Sequence, residues 1–293
     1  MKRLIVNADD FGMTAGINSA IIEAHATGIV TSTTLMANGP AFSGAIRASE
    51  LQPYLGVGCH IVLVDGEPLL PLNEVGSLLG HDRVRFRTTI AEFAKAVWMN
   101  QLNSEEIEAE ATAQIRKIQE AGIEVSHVDA HKHAHMFPSV LVPILRAAMN
   151  CGVRAIRNPF EPAGTLPFHS LMVDKKLAGR FSQVSALRLL YRRRFFRNVR
   201  RFGLSTTEGS LGVTATGSLD HLLFEQMIKR LEDGTWELVC HPGYNDADLA
   251  KAQTQLRRSR GVEFELLASA RARTILEENE VHLISYHTLP RLP

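Results

Sequence analysis

The chain has 293 residues, of which 45% are hydrophobic and 22% are charged, and its formal net charge at pH 7 is +1. This is ordinary globular composition, and its apolar runs are far shorter than a membrane span requires. The acidic pair at positions 9 and 10 interrupts the first apolar run too early for a signal peptide. Three cysteines, Cys59, Cys151 and Cys240, lack metal-site spacing, so we expect reduced thiols in a cytoplasmic protein.

Short apolar runs alternate with helical patterns along most of the chain. The candidate strands cover 2–8, 30–36, 55–61, 124–130, 153–157, 204–207, 236–241 and 281–286. Helical spacing of apolar residues predicts helices over 15–27, 104–121, 139–150, 219–232 and 263–278. A stretch rich in Gly, Pro and Asp, 62–88, predicts a long loop after the third strand.

This alternation of strands and helices predicts an α/β fold with a mostly parallel sheet. Eight candidate strands favour a (β/α) TIM-barrel-like fold, and the weak strand at 204–207 indicates that the barrel is irregular or incomplete. A doubly wound open sheet is the alternative. Because no linker or internal repeat divides the chain, we expect a single domain over 1–293.

Residues 175–203 form a strongly basic segment, with ten Lys or Arg and no Asp or Glu. The rest of the chain, with 22 basic and 31 acidic residues, carries a charge of about −9. Across 171–202 apolar residues recur at roughly helical spacing, which predicts a basic helical insertion around 170–202. This helix is either a barrel helix with a solvated face or a surface element for peripheral contact with an anionic membrane. Nucleic acid is not an expected partner, because no aromatic-interleaved RNA-binding motif is present.

Polar side chains gather where the candidate strands end. In a barrel of parallel strands these ends meet at one rim, which is where active sites form. The residues concerned are Asp9 and Asp10, His60, Asp129, His131, His133 and His135, Arg157, and His241.

The stretch 129–135 is the most informative of these. Its four ionisable residues alternate along the chain, so on an extended strand they would face one side. Removing these side chains from water without a ligand would cost several kcal/mol of folding free energy. Each of the other features also has a structural interpretation: Asp9 and Asp10 as a helix cap, His60 as a core residue, and "HPG" as a turn. Imidazole and carboxylate together suit zinc or another divalent metal.

Four motifs, taken in order, resemble the signature blocks of the YdjC-like carbohydrate deacetylases. They are "NADDFG", "GCHIVL", "DAHKHAHMFP" and "HPGY". Within that family, "TLMANGPAF" and "RGVEFELLAS" are most similar to the subgroup associated with hopanoid biosynthesis. The resemblance spans nearly the whole chain and implies a barrel variant that removes the N-acetyl group from an N-acetylglucosamine-type amino sugar, in this subgroup a lipid-linked one.

The resemblance also implies roles for individual residues. One divalent metal ion, Mg²⁺ or Zn²⁺, would be held by Asp10, His60 and His131. Asp9 would be the general base and His241 the general acid, as an imidazolium near neutral pH. The remaining residues would orient the base or contact the substrate, namely Arg157, Asp129, His133 and His135. We further expect a homodimer, located in the cytoplasm or peripherally at the inner membrane face.

Two other functions compete with this one. A glycosidase or phosphoesterase could use the same barrel, since paired carboxylates permit glycosidase chemistry. Adjacent Asp9 and Asp10, however, are expected to project differently and so not to flank one bond. The third possibility is a non-catalytic metal- or sugar-binding protein, which an acetate-release assay would distinguish.

Overall fold

One parallel sheet positions every residue of the predicted site. The computed structural model describes residues 1–166, 168–252 and 254–290, and within them the strand order is β4-β3-β2-β1-β6-β5, with β7 paired to the start of β1. The strands are β1 Lys2–Phe11, β2 Ser32–Leu35, β3 Gly56–Ile61, β4 Val128–Ala130, β5 Gly209–Leu211, β6 Gly234–Cys240 and β7 Val281–Leu283. All pairings between them are parallel, so their carboxyl ends form one rim.

The barrel is irregular at the predicted weak strand 204–207 and also at the neighbouring predicted strand 153–157. Two isolated parallel bridges, Val128 with Ile156 and Ala155 with Ser205, continue the sheet from β4 towards the segment that leads into β5. The predicted strands 153–157 and 204–207 are therefore reduced to isolated bridges, two for the first and one for the second, and the predicted strand 124–130 is shortened to β4. The expectation of an irregular TIM-barrel-like α/β fold is confirmed.

Helices cover the outside of the sheet. They are α1 Ala15–Thr27, α2 Phe42–Glu50, α3 Ile90–Trp98, α4 Ser104–Glu120, α5 Pro138–Asn150, α6 Phe168–Val173, α7 Lys175–Arg201, α8 His221–Lys229, α9 Ala247–Lys251, α10 Arg258–Leu267 and α11 Ala270–Glu278. The single helix predicted over 263–278 is wrong, because Ser269 accepts a hydrogen bond from the Ala272 backbone N–H and so begins α11 as a separate helix. The basic segment 175–203 forms α7, and the predicted helical insertion around 170–202 consists of α6 and α7. Among the described residues, no helix combines the length and apolarity that a membrane crossing needs.

Strand β1 runs through the centre of the core. Ile5 packs with Ala155 and Tyr286 in a small cluster inside the barrel, whereas Leu4 and Val6 belong to the main core beneath the helices. Side chains thus alternate between the interior and the helical layer, as expected for a barrel strand. This alternation would send Asp9 inward and Asp10 outward if it continued to the end of the strand.

Candidate active site

A β-bulge turns both carboxylates of β1 towards the same site. Ala8 pairs with Thr33 and Phe11 with Leu35, so three steps along β1 match two along β2. The bulge includes Asp10, whose φ of +68° lies in the left-handed region. The expectation that the adjacent carboxylates project differently is therefore wrong, because the bulge cancels the alternation at this point.

Asp10, His60 and His131 bring possible metal ligands together. Asp10 Oδ1 lies 3.6 Å from His60 Nε2 and 3.4 Å from His131 Nδ1, and the two ring nitrogens are 3.1 Å apart. Asp10 and His60 are buried, while 14% of the His131 side chain is exposed. The structure thus places the three implied ligands side by side. Their role as ligands stays a prediction.

A carboxylate behind His60 sets the orientation of its ring. Asp129 Oδ1 lies 2.7 Å from His60 Nδ1, so a proton held there leaves the Nε2 lone pair directed at Asp10 and His131. Burial disfavours a charged imidazole, but Asp129, followed by Asp9 and Asp10, raises the pKa of His60 to about 9. The surroundings of Nε2 therefore favour positive charge.

The geometry of this triad fits a divalent ion. Asp10 Oδ1 is buried and accepts no hydrogen bond within the described part of the chain. Ligand atoms around a tetrahedral ion with bonds of about 2.0 Å are about 3.3 Å apart, and those around an octahedral ion with bonds of about 2.1 Å are about 3.0 Å apart. Both values lie close to the separations of 3.1 to 3.6 Å.

A second cluster, Asp9, His60 and Asp129, also has ligand atoms within 4.8 Å of one another. Hydrogen bonds already occupy this cluster, because Asp129 contacts His60 Nδ1 and Arg157 contacts Asp9. The triad that contains Asp10 differs, because Asp10 Oδ1 accepts no hydrogen bond among the described residues.

Arg157 clamps Asp9. Its Nη1 and Nη2 donate to the two Asp9 carboxylate oxygens at 2.8 and 2.6 Å, and Nη1 also contacts Asp129. Burial alone would raise the pKa of Asp9, but Arg157, with smaller contributions from His60 and His241, outweighs burial and lowers it. On the far side, Arg157 Nε donates to Glu237 at 2.7 Å, and Glu237 accepts a second hydrogen bond from the Tyr286 hydroxyl. Arg157 is fully buried, so this network holds Asp9 rigidly.

His241 follows β6 directly and lies beside Asp9. Its Nε2 is 3.8 Å from Asp9 Oδ2, and its Nδ1 is 3.9 Å from Glu263 Oε2. Burial lowers the pKa of His241 to about 4, although Asp9 and Asp10 oppose the shift. The imidazole is therefore neutral at pH 7 in this structure, whereas we had expected it to be charged.

Helix α10 supplies two buried partners that the sequence reasoning missed. Arg260 Nη2 contacts Asp10 Oδ2 and, against the effect of burial, lowers the pKa of that carboxyl. Glu263 Oε2 accepts the His241 backbone N–H at 2.6 Å. The two residues are three positions apart and so share one helix face. The signal was available in "RGVEFELLAS", where an Arg and a Glu occupy that spacing.

The stretch after β4 does not continue as a strand. Residues His131–Met136 form a short 3₁₀ segment in which Lys132 and His133 have left-handed φ values of 53° and 54°. The prediction that 129–135 presents four side chains on one side of an extended strand is therefore wrong. His133 and His135 are excluded from both clusters of ligand atoms. Burial lowers the pKa of His133 to about 3 and also lowers that of His135, so both rings are neutral at pH 7.

The left-handed turn also holds the loop that borders the site. Lys132 Nζ contacts Asp65 Oδ2 at 2.7 Å and donates to the Thr88 carbonyl at 3.1 Å. Gln114 on α4 exchanges two hydrogen bonds of 2.8 Å with the Val62 backbone. The predicted loop 62–88 is thus fixed at both of its ends beside His60 and His131.

Comparison with known proteins shows which family this chain matches. The YdjC-like protein family model matches residues 3–278. A carbohydrate deacetylase of Brevibacillus brevis is 30% identical over 98% of this chain and 99% of its own length. Carbohydrate deacetylase 2 of Listeria innocua is 30% identical over 99% of both chains. A solved structure from Enterococcus faecalis V583, provisionally described as a cellobiose-phosphate cleavage protein, superposes with a TM-score of 0.74 at 26% identity, over 98% of both chains.

Proposed function

The chain belongs to the YdjC-like protein family, and on that premise we propose that it is a metal-dependent deacetylase of N-acetylglucosamine-type amino sugars. Full-length relatives described as carbohydrate deacetylases support the reaction class. The observation that carries the metal is the buried Asp10 Oδ1, which faces two imidazole nitrogens and lacks a hydrogen-bond partner among the described residues.

The donor set bears on which ion the site would take. An ion on Asp10, His60 and His131 would supply a Lewis acid for the amide carbonyl and lower the pKa of a bound water. Two imidazole ligands favour Zn²⁺ or another first-row ion over Mg²⁺, which prefers oxygen ligands. Metal analysis of the protein purified without added metal would test this order.

Asp9 is the residue that takes the proton of the attacking water. Because Arg157 contacts both of its oxygens, Asp9 cannot rotate away from the site. Oδ1 accepts hydrogen bonds from Arg157, Asn7 and Thr34. Oδ2 accepts one, from Arg157, among the described residues, so it keeps a lone pair, and it is the oxygen nearer His241. Arg157 lowers the pKa of Asp9, so the proton is held weakly and is passed on readily.

His241 delivers that proton to the leaving amine. Its Nε2 lies 3.8 Å from Asp9 Oδ2, a gap that a small side-chain rotation would close. The neutral imidazole, with its pKa lowered to about 4, can accept the proton from Asp9 and release it to the more basic amine. Water adds to the amide carbon, the C–N bond breaks, and acetate and the free amino sugar leave.

The test is acetate release from N-acetylglucosamine and its oligosaccharides, with and without exhaustive chelation. We expect activity that chelation abolishes and that added metal restores. Full activity after chelation would overturn the metal-dependent proposal, and absence of acetate release from every amino sugar would overturn the deacetylase itself.

We extend the proposal to a lipid-linked substrate, because the sequences of the motifs resemble those of the hopanoid-associated subgroup. The expected substrate is a glycolipid that carries an N-acetylglucosamine head on a polycyclic tail. Comparing kcat/KM for this glycolipid with that for chitobiose measures the preference. A higher value for the soluble sugar would contradict the extension.

The second candidate is glycoside hydrolysis, which the description of the Enterococcus faecalis protein favours. A glycosidase needs a carboxylic acid that stays protonated near neutral pH. The arginine partners instead lower the pKa of both Asp9 and Asp10, in opposition to burial. Among the described residues, the buried carboxyls of raised pKa already have partners. Glu237 and Glu263 lie behind Arg157 and His241, and Glu161 accepts from the backbone N–H groups of Gly212 and Thr214. We therefore rank this function second, and release of reducing sugar without acetate would reverse the order.

A further inference from the structure

Helix α7 is long and poorly buried. It spans Lys175–Arg201, 27 residues, yet its buried side chains are confined to Leu177, Phe195 and Val199. A helix of this length extends for about 40 Å. Most of its surface therefore lies outside the core. Ten of its residues are Lys or Arg, and none is Asp or Glu.

Some of these cations already have partners. Arg180 donates to the Thr216 carbonyl. Arg188 and Arg192 are half-buried and line a cavity of about 560 Å³ that also contains acidic side chains, Glu208, Glu232 and Asp233. These three arginines therefore face the protein.

The C-terminal half of α7 differs. Arg193, Arg194, Arg197, Arg200 and Arg201 are all exposed, and no ion pair joins any of them to a carboxylate in the part of the chain that the structure describes. Because most of them are separated by three or four residues, they form one stripe along the helix. We call this stripe, together with Leu189 and Leu190, the α7 basic face.

Two adjacent leucines lie at one end of the stripe. Leu189 is 83% exposed and Leu190 is 64% exposed, and they precede Arg193 by four and three residues. Large apolar side chains beside uncompensated cations are the combination by which amphipathic helices bind lipid surfaces, since the apolar groups enter the interface and the cations contact anionic headgroups. RNA could bind the arginines through its phosphates, but it would leave the aliphatic leucines exposed.

We propose that the α7 basic face docks this protein on the surface of an anionic lipid bilayer. The leucines enter the headgroup region and the five arginines bind lipid phosphates. This goes beyond the proposed reaction, because it requires neither the metal nor the substrate.

Co-sedimentation with vesicles tests the proposal. We expect the full chain to bind phosphatidylcholine vesicles that contain phosphatidylglycerol, to bind pure phosphatidylcholine vesicles weakly, and to lose affinity as salt rises. Replacing Arg193, Arg197 and Arg201 with Gln should lower the affinity roughly tenfold or more. Replacing both leucines with Ser should weaken the binding that persists at high salt.

A matched triple variant controls for net charge. Arg47→Gln, Lys95→Gln and Lys251→Gln remove three exposed cations from other helices and should leave vesicle binding unchanged. Acetate release from a soluble amino sugar should be the same in all variants, so failure of the catalytic proposal is measured separately. Equal loss in both triple variants, no vesicle binding at low salt, or tighter binding to single-stranded RNA than to anionic vesicles would overturn the docking proposal.

Discussion

The Asp9 half of the site and the Asp10 half place the same kind of side chain in two different surroundings. Both oxygens of Asp9 are held by Arg157. Asp10 contacts an arginine through one oxygen, whereas its Oδ1 lies within 3.6 Å of both His60 and His131 without a hydrogen bond. Neighbours in the chain are thus divided between a carboxylate held through both oxygens and one with an oxygen free for a ligand.

This difference shows why two carboxylates can occupy one buried site. Each has its own arginine, so burial does not force either to take up a proton. Asp9 is fixed in place by Arg157 and keeps a lone pair on Oδ2 that can take a proton. A carboxylate with a free oxygen is suited to binding a cation. Substitutions at the two carboxylates and at neighbouring residues test this division.

The largest effect is expected for Asp10→Asn. Loss of the charged ligand should weaken metal binding by at least about a hundredfold and abolish acetate release at low metal concentration. Isothermal titration with Zn²⁺ measures the affinity, and thermal unfolding without metal shows whether the variant is folded. Unchanged metal affinity would place the ion elsewhere.

Asp9→Asn should keep the metal and lose turnover. Removal of the base is expected to reduce kcat by roughly a hundredfold to ten-thousandfold, with metal affinity within about threefold of the wild type. If Asp9→Asn and Asp10→Asn bind metal equally well, the two halves do not differ as described.

His241→Asn should lower kcat by roughly a hundredfold on an unactivated N-acetyl sugar. The loss should be much smaller for an acetanilide with a good leaving group, because that amine needs less help from an acid. Equal losses on both substrates would assign His241 a role other than proton delivery.

Glu263→Gln should change the pH dependence of stability. Burial raises the pKa of Glu263 from 4.5 to about 7, with Arg260 and the His241 backbone N–H opposing the shift. Between these pH values the folded state holds a proton that the unfolded state has released, so the free energy of unfolding falls as pH rises from 4.5 to 7.

The glutamine variant lacks this titration. It should therefore gain up to about 3 kcal/mol relative to the wild type between pH 4.5 and pH 8. Urea unfolding of both metal-free proteins at several pH values measures the difference, and His60 contributes equally to each. A constant difference across this range would contradict a raised pKa for Glu263.

Sequence reasoning reached the rim for a simple physical reason. Parallel strands bring their carboxyl ends together, so Asp10, His60 and His131 could be placed on one rim without knowing any distance. The choice of these three as ligands came from the family resemblance, as did the orienting role of Arg157, which the structure places in contact with Asp9.

Other features depended on backbone conformations that the residue types do not reveal. An aspartate at φ +68° and a lysine at φ 53° occupy a region that favours glycine, so neither the bulge at Asp10 nor the turn at Lys132 could be read from periodicity. Arg260 and Glu263 were missed because they lie on a helix, not at a strand end.

The distance in sequence between Asp10 and Arg260 bears on how the protein is made. The three possible metal ligands lie within the first 131 residues, whereas the arginine that contacts Asp10 comes 250 residues after it. During synthesis the ligands therefore leave the ribosome well before their positive partner. Asp10 can meet Arg260 only after nearly all of the chain has been made, so this contact joins the first strand to one of the last helices when folding is completed.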